Sequence, residues 1–181
     1  QLTDNDQPFR NGTSRCIPTS RRNEPRAEAL WTPNLAKRGY YAVYVSYTSL
    51  PDAVDDAHYT VYHAGGRTEF HVNQRMGGGT WLYLGTFLFE AGENEHARVV
   101  LDNASTHKGS ISADAVRFGG GMGNIQRGSQ TSQLPRALEG ARYYAQWAGA
   151  PREIVSKSGG SNDYTDDINV RSLMTNWLAG G

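Results

Sequence analysis

Cysteine is nearly missing from this chain: Cys16 stands alone among 181 residues. A single cysteine excludes an intramolecular disulfide and a cysteine-based metal cluster, and says nothing about compartment. Charge excess is missing too. Lys and Arg total 18 and Asp and Glu total 18, so the chain lacks the broad positive field of a general nucleic-acid binder, although a local basic patch stays open. No apolar run approaches the roughly 18 residues that span a bilayer, and no charged-then-apolar leader opens the chain. Gln1 stands where an initiator Met would, so a fragment or processed product is expected. No nucleophile motif and no Ser/His/Asp arrangement is visible, and no histidine follows His107. The glycine triplets at 77–79 and 119–121 lack the Lys-Ser/Thr ending and the following helix of a phosphate loop.

Glycine, by contrast, is plentiful at 21 residues, beside an apolar content of 38%. That balance favours strands and turns over a helical bundle. Residues 1–26 read as a polar, extended lead-in with one short strand near Cys16-Ile17 and a basic character from Arg15, Arg21, Arg22 and Arg26. Residues 27–122 then carry strand signals about every ten residues, which predicts an antiparallel, jelly-roll-like β-sandwich. Tyr40–Tyr47 alternates cleanly, with Tyr41, Val43, Val45 and Tyr47 on one face. Ala57–Ala64 and Arg67–Gln74 flank Gly65-Gly66, a pair suited to a two-residue primed turn. That turn sets Val61 opposite Phe70, Tyr59 opposite Val72, Thr60 opposite His71 and Tyr62 opposite Glu69. It separates an apolar face from a polar one. Gly77-Gly78-Gly79 leads into Thr80–Phe89, which reads as a central strand buried on both faces. Trp81, Tyr83, Phe87 and Phe89 point one way and Leu82, Leu84 and Leu88 the other.

The pattern changes at Gly119-Gly120-Gly121. Residues 123–133 read as a linker, and 134–181 as a short α/β segment with two helices. Leu134, Leu138, Ala141, Ala145 and Ala148 form the stripe of the first helix. Arg152–Val155 suggests a short strand. Asp163 or Thr165 caps the second helix, whose apolar side is Ile168, Leu173, Met174, Trp177 and Leu178.

Candidate chemistry gathers on the hairpin. His58, Tyr62, Glu69 and His71 share its polar face, and exposed aromatics, Trp81 first, with Trp31, Tyr40 and Tyr44, suit stacking on sugar rings. On the expected register His58 and His71 are not direct partners, so no metal site is assigned. Asp114, mid-strand, is expected to bond a nearby loop, pair with Arg117 or ligate a structural calcium. Asn11 and Asn103 head glycosylation sequons. Asp163, Asp166 and Asp167 sit where a helix start favours acids without any catalysis.

Trp31 to Gly123 resembles the golvesin C-terminal-like domain, also found in bacterial proteins named xanthan lyase. The resemblance rests on Tyr41-Ala42-Val43-Tyr44-Val45-Ser46-Tyr47, Ala57-His58-Tyr59-Thr60-Val61-Tyr62-His63, Val72-Asn73-Gln74, Gly78-Gly79-Thr80-Trp81-Leu82-Tyr83-Leu84-Gly85 and Ala113-Asp114-Ala115-Val116-Arg117-Phe118-Gly119. It implies a non-catalytic β-sandwich module that binds polysaccharide or peptidoglycan, is secreted or periplasmic, and packs on a parent catalytic domain. The tail resembles part of a zinc-dependent N-acetylmuramoyl-L-alanine amidase through Asp163-Tyr164, Ile168, Arg171 and Asn176. That second likeness implies zinc in a parent enzyme, with no cofactor in this chain and too few ligands for activity alone. Glu139 is not assigned as a ligand, because it lies too close to Gly149. The alternatives are a polysaccharide lyase or hydrolase using His58, Tyr62, Glu69 and His71, and a structural spacer.

Overall fold

The computed structural model describes residues 14–21, 23–119, 126–127, 130–131, 140–148 and 150–180. The strands are β1 (Arg15–Pro18), β2 (Ser20–Arg21), β3 (Glu28–Trp31), β4 (Gly39–Ser46), β5 (Ala57–His63), β6 (Gly66–Val72), β7 (Leu82–Phe89), β8 (Arg98–Asp102), β9 (Ala104–Ser105), β10 (Ser110–Ala113), β11 (Ala115–Phe118), β12 (Gln126–Arg127) and β13 (Gln130–Thr131). Three helices follow: α1 (Ala141–Trp147), α2 (Arg152–Val155) and α3 (Asp163–Leu178). An antiparallel sheet of order β3-β8-β5-β6 faces another of order β11-β4-β7. Between them lies the core, built from the inward alternation of Val43 and Val45, Tyr59 and Val61, Val99 and Leu101, closed by Phe89. The expected antiparallel β-sandwich with a small helical segment is therefore the fold.

Several local expectations change. The strand at the centre of its sheet is β4, flanked by β11 and β7, whereas β7 lies at the sheet edge. Its alternation is also broken. Val43 pairs with Gly85 but the next residue, Tyr44, pairs with Tyr83, so Leu84 is an extra residue in a β-bulge. A bulge reverses parity. Leu82 and Leu84 consequently join Phe87 and Phe89 against the main core, instead of opposing them. The glycines ahead of β7 do make a tight turn. Gly77 and Gly79 both have φ 73°, and a Cβ on Gly78 would stand 2.4 Å from the Ser49 backbone nitrogen.

The hairpin turn is Ala64-Gly65, one residue earlier than the dipeptide suggested. A type I′ turn needs positive φ at both loop residues; here the positive φ falls on Gly66, at 120°. The Ala64 N–H bonds the Leu88 carbonyl at 2.9 Å, pinning the tip to β7. The register accordingly moves by two. Tyr59 faces Phe70, Thr60 faces Glu69, and His58 faces His71. A shift of two keeps each side chain on its face, so the apolar and polar sides are as expected while the partners differ.

The described part of the lead-in is sewn into the sandwich. β1 pairs with β10 and β2 runs parallel to β9. Asn103 fastens this corner. Its Oδ1 accepts from the Arg26 and Ala27 N–H groups at 2.9 and 3.1 Å, and its Nδ2 donates to the Pro18 carbonyl at 3.0 Å.

The helices cover the outer face of β4. Ala42 and Tyr44 cluster with Trp81, Tyr143 and Ala148, and the Trp81 N–H bonds the Ala148 carbonyl at 3.1 Å. Arg152–Val155, read as a strand, is a single helical turn: Pro151 starts it in extended geometry and the Ser156 N–H closes on the Arg152 carbonyl. Asn162, not Asp163 or Thr165, caps α3 by accepting from the Thr165 N–H at 2.9 Å. The inward stripe of α3 runs through Asp166, Val170, Met174 and Trp177, while Ile168 is 46% exposed. Asp163 takes the Arg142 guanidinium at 2.6 Å and the Tyr143 hydroxyl. Arg171 donates to Asp167 at 3.1 Å, one turn earlier. The Ser158 N–H, 2.6 Å from buried Asp166, holds that carboxyl below its usual range. Leu134 and Leu138 lie outside the described residues.

Candidate functional site

The outer face of the four-stranded sheet carries the polar residues in cross-strand rows, because directly paired residues share a face. One row is Glu28, Asp102, His58 and His71, crossing β3, β8, β5 and β6. The next is Leu30, Val100, Thr60 and Glu69. The third is Arg98, Tyr62 and Arg67. All four hairpin candidates thus lie on this one face.

A cleft of about 160 Å³ opens at the first row, lined by Asn23, Asp56, His58, Glu69, His71 and Ala104. His58 is its best-defined group. Its Nδ1 lies 2.6 Å from Asp102 Oδ2, and Asp102 Oδ1 accepts the Ala104 N–H at 2.8 Å. The carboxylate fixes the proton on Nδ1 and turns Nε2 toward the cleft. There Nε2 stands 3.7 Å from Glu69 Oε2, and the rings of His58 and His71 stack at 5.3 Å. Glu69 is also held by Arg67 at 3.2 Å. The set combines a hydrogen-bond acceptor, a carboxylate and a flat imidazole pair, which is equipment for gripping hydroxyl-rich ligands.

The remaining candidates are dispersed. Tyr62 lies two rows from the cleft, with the Arg98 guanidinium 4.6 Å above its ring. Trp81 is 8% exposed beneath the helices. Its indole meets protein rather than an open glycine-rich mouth, which removes it as a sugar platform. Asp114 accepts from the Ser46 hydroxyl at 3.2 Å, and burial pushes its carboxyl upward. Arg117 donates to the Gly119 carbonyl at 3.3 Å. Trp31 is half-buried and lines a larger groove of about 590 Å³ between β1 and β3, with Leu101, Ile111 and Asp114.

Among the described residues, Asp55, Asp56 and His107 are spaced to hold a cation. They already make ion pairs and hydrogen bonds within the protein. Asp55 meets His107 at 3.0 Å and Arg75 at 3.0 Å. Asp56 accepts from Ser105 and from the Thr106 N–H and hydroxyl at 2.8 and 2.6 Å. Desolvation raises the Asp56 carboxyl, but these hydrogen bonds, with the charge of His107, bring it down to about 2. The group works as a staple between two loops.

The sequence reading missed Asp102, Arg98, Asp56 and Asn23. For two of them a signal existed: in Arg98-Val99-Val100-Leu101-Asp102 the alternation puts Arg98 and Asp102 on the face opposite Val99 and Leu101.

Residues 4–120, more than half of the chain, match the golvesin C-terminal domain family. The chain belongs to that family. The golvesin domain is 38% identical over 88 residues to the xanthan lyase of Bacillus sp. (strain GL1), covering 49% of this chain and 10% of that protein. It therefore corresponds to about a tenth of that relative's length. The solved structure of Paenibacillus xanthan lyase aligns at 26% identity with a TM-score of 0.48, covering 59% of this chain and 11% of that one. Among the described residues no helix is long and apolar enough to cross a membrane.

Proposed function

We propose that this golvesin domain is a non-catalytic, secreted module that holds polysaccharide for a parent degrading enzyme, through the outer face of the β3-β8-β5-β6 sheet. One observation carries the reading. His58, Glu69 and His71, chosen from sequence for their polar face, line one solvent-open cleft. The similarity to a protein named xanthan lyase supports a polysaccharide setting. The test is affinity electrophoresis of the chain through gels containing a panel of polysaccharides, with an insoluble-peptidoglycan pull-down beside it. Retardation by one or more polymers, weakened in His58→Ala and His71→Ala variants, is the expected result. Unchanged mobility with every polymer and no peptidoglycan capture would leave the spacer reading in place.

A second reading has its own observation, the 2.6 Å His58–Asp102 pair. An imidazole so oriented suits general acid–base chemistry, with Glu69 beside it. In a lyase or hydrolase of this kind, Asp102→Asn would abolish polysaccharide breakdown measured by reducing-end or unsaturated-product assay. Absence of product from the wild-type chain removes it.

The helical segment extends the proposal to an amidase-like parent. Its support is the Asp163-Tyr164…Arg171…Asn176 pattern. No histidine follows His107, so the chain alone is expected to leave peptidoglycan uncleaved when zinc is added. Robust turnover would overturn that.

A further inference from the structure

Several of the described arginines have acidic company. Arg38, Arg67, Arg75, Arg142 and Arg171 each meet a carboxylate, at 2.9, 3.2, 3.0, 2.6 and 3.1 Å. Arg98 differs. Among the described residues it makes no ion pair and no hydrogen bond, and its Nε is shielded from water without a partner. The ring of Tyr62 lies 4.6 Å below its guanidinium carbon. A half-buried cation held by an aromatic face is restrained in position, and its charge is not neutralised from within.

Its neighbourhood repeats that sign. Across β8, β5 and β6 the paired row is Arg98, Tyr62 and Arg67. Of the carboxylates on this face, Glu28 and Asp102 lie in the cleft row, with Asp102 on His58, and Glu69 reaches Arg67; Arg98 is left without one. Arg98 and Asp102 are four residues apart on one strand, about 13 Å at the usual rise. The face is polarised, with an acid–imidazole end at the cleft and a cationic end at Tyr62.

We propose that the Arg98–Tyr62–Arg67 row is an anion subsite that makes this face select acidic polysaccharides, with the Arg98 guanidinium receiving a uronate carboxylate. The inference rests on the polysaccharide-binding reading above and adds the charge class of the ligand. A planar guanidinium matches a carboxylate bidentately. Tyr62 restrains the Arg98 guanidinium from below, while Arg67, paired with Glu69, closes the row at the sheet edge.

The experiment uses the full chain and two forms of one polymer, polygalacturonate and its methyl ester, with dextran as a neutral reference. Affinities are read by retardation in polymer gels and by calorimetry. Wild type is expected to bind polygalacturonate about tenfold or more tightly than the ester, with the preference shrinking as salt rises. Arg98→Gln is expected to lose about tenfold on polygalacturonate while leaving the ester unchanged, and Arg98→Lys to fall between, because it keeps the charge but not the fork. Equal binding of acid and ester, or an unchanged Arg98→Gln, overturns the inference while polysaccharide binding itself stands. No binding to any polymer by wild type overturns both. Circular dichroism checks each variant. Should Arg98→Gln fail to fold, Arg98→Lys decides: a reduced acid-over-ester preference supports the subsite, and an unchanged one overturns it.

Discussion

The Gln74 side chain and the Ser112 backbone form a two-way amide pair: the Ser112 N–H donates to Gln74 Oε1, and Gln74 Nε2 donates to the Ser112 carbonyl, each at 2.9 Å. Gln74 is fully buried and also donates to the Tyr59 hydroxyl at 3.2 Å. One side chain thereby ties the segment after β6 to β10 and to the core tyrosine of β5. An amide does here what a strand ladder does elsewhere.

Replacing Gln74 by Leu should therefore be costly although the volumes are similar. The Ser112 N–H and carbonyl would stay buried without partners. Each such loss runs to about 1–3 kcal/mol, so the variant should unfold with about 2–4 kcal/mol less stability. Urea denaturation monitored by fluorescence measures it, and a loss below about 1 kcal/mol would mean that water or a shifted loop replaces the amide.

Acid should weaken the loop staple. The Asp56 carboxyl is held at about 2, below its ordinary 3.8. A carboxyl with a lowered folded-state value contributes stability above the unfolded value and loses it as pH falls through the folded one. The contribution of Asp56 is thus complete above about pH 4 and disappears toward pH 2. Melting temperatures of wild type and Asp56→Asn across pH 6 to 2 test this. The variant should start lower and lose less between pH 4 and pH 2, so that the curves converge. Parallel curves would show that Asp56 does not set the acid response.

Asn103 heads a sequon but should stay unmodified. It is 4% exposed, and its amide holds the Arg26, Ala27 and Pro18 backbone groups. A glycan would have to break those bonds and open the corner between β2 and β9. Expression in a glycosylating host followed by peptide mass spectrometry should find residue 103 bare. Asn103→Ala should lower stability by about 1–3 kcal/mol by orphaning two N–H groups. A glycan at residue 103 on folded protein would contradict the geometry.

What could be read from residues alone was whatever depended on period. Tyr41, Val43, Val45 and Tyr47 fell on the core face because four inward side chains at every second position leave one choice. The polar hairpin face survived even a wrong turn, since moving the register by two preserves parity. What failed depended on a single residue. The extra Leu84 reversed half of β7, and Gly85 beside it signals a bulge without fixing which residue is extra. Ala64 rather than Gly66 entered the turn, which brought His58 and His71 together, a pairing the glycine dipeptide had argued away. The cleft was thus half legible: its hairpin members followed from alternation, but Asp102 and Asp56 come from distant strands and loops. Their positions were fixed by pairing between β5 and β8 and by the Ser105–Thr106 turn.

Trp81 separates the two kinds of aromatic in this domain. Its indole lies with Tyr44, Tyr143 and Ala148 between β4 and α1, and its backbone joins β7 to the end of that helix. Removing a large aromatic from such a site costs about 3–5 kcal/mol where the gap cannot close. Trp81→Ala should therefore loosen the helical segment and lower the melting temperature, with faster hydrogen exchange in α1 and α3. The sandwich core of Val43, Tyr59 and Val99 is built separately and should keep its protection. Tyr62→Ala should behave in the opposite way, with a small change in stability and a fall in retardation by polysaccharide. Its ring is half-buried on the face proposed to hold the ligand, with Arg98 stacked on it. Loss of polysaccharide binding by a Trp81→Ala protein whose sandwich remains protected would return the indole to the ligand site. A Tyr62→Ala protein with unaltered binding would take the hairpin face out of it.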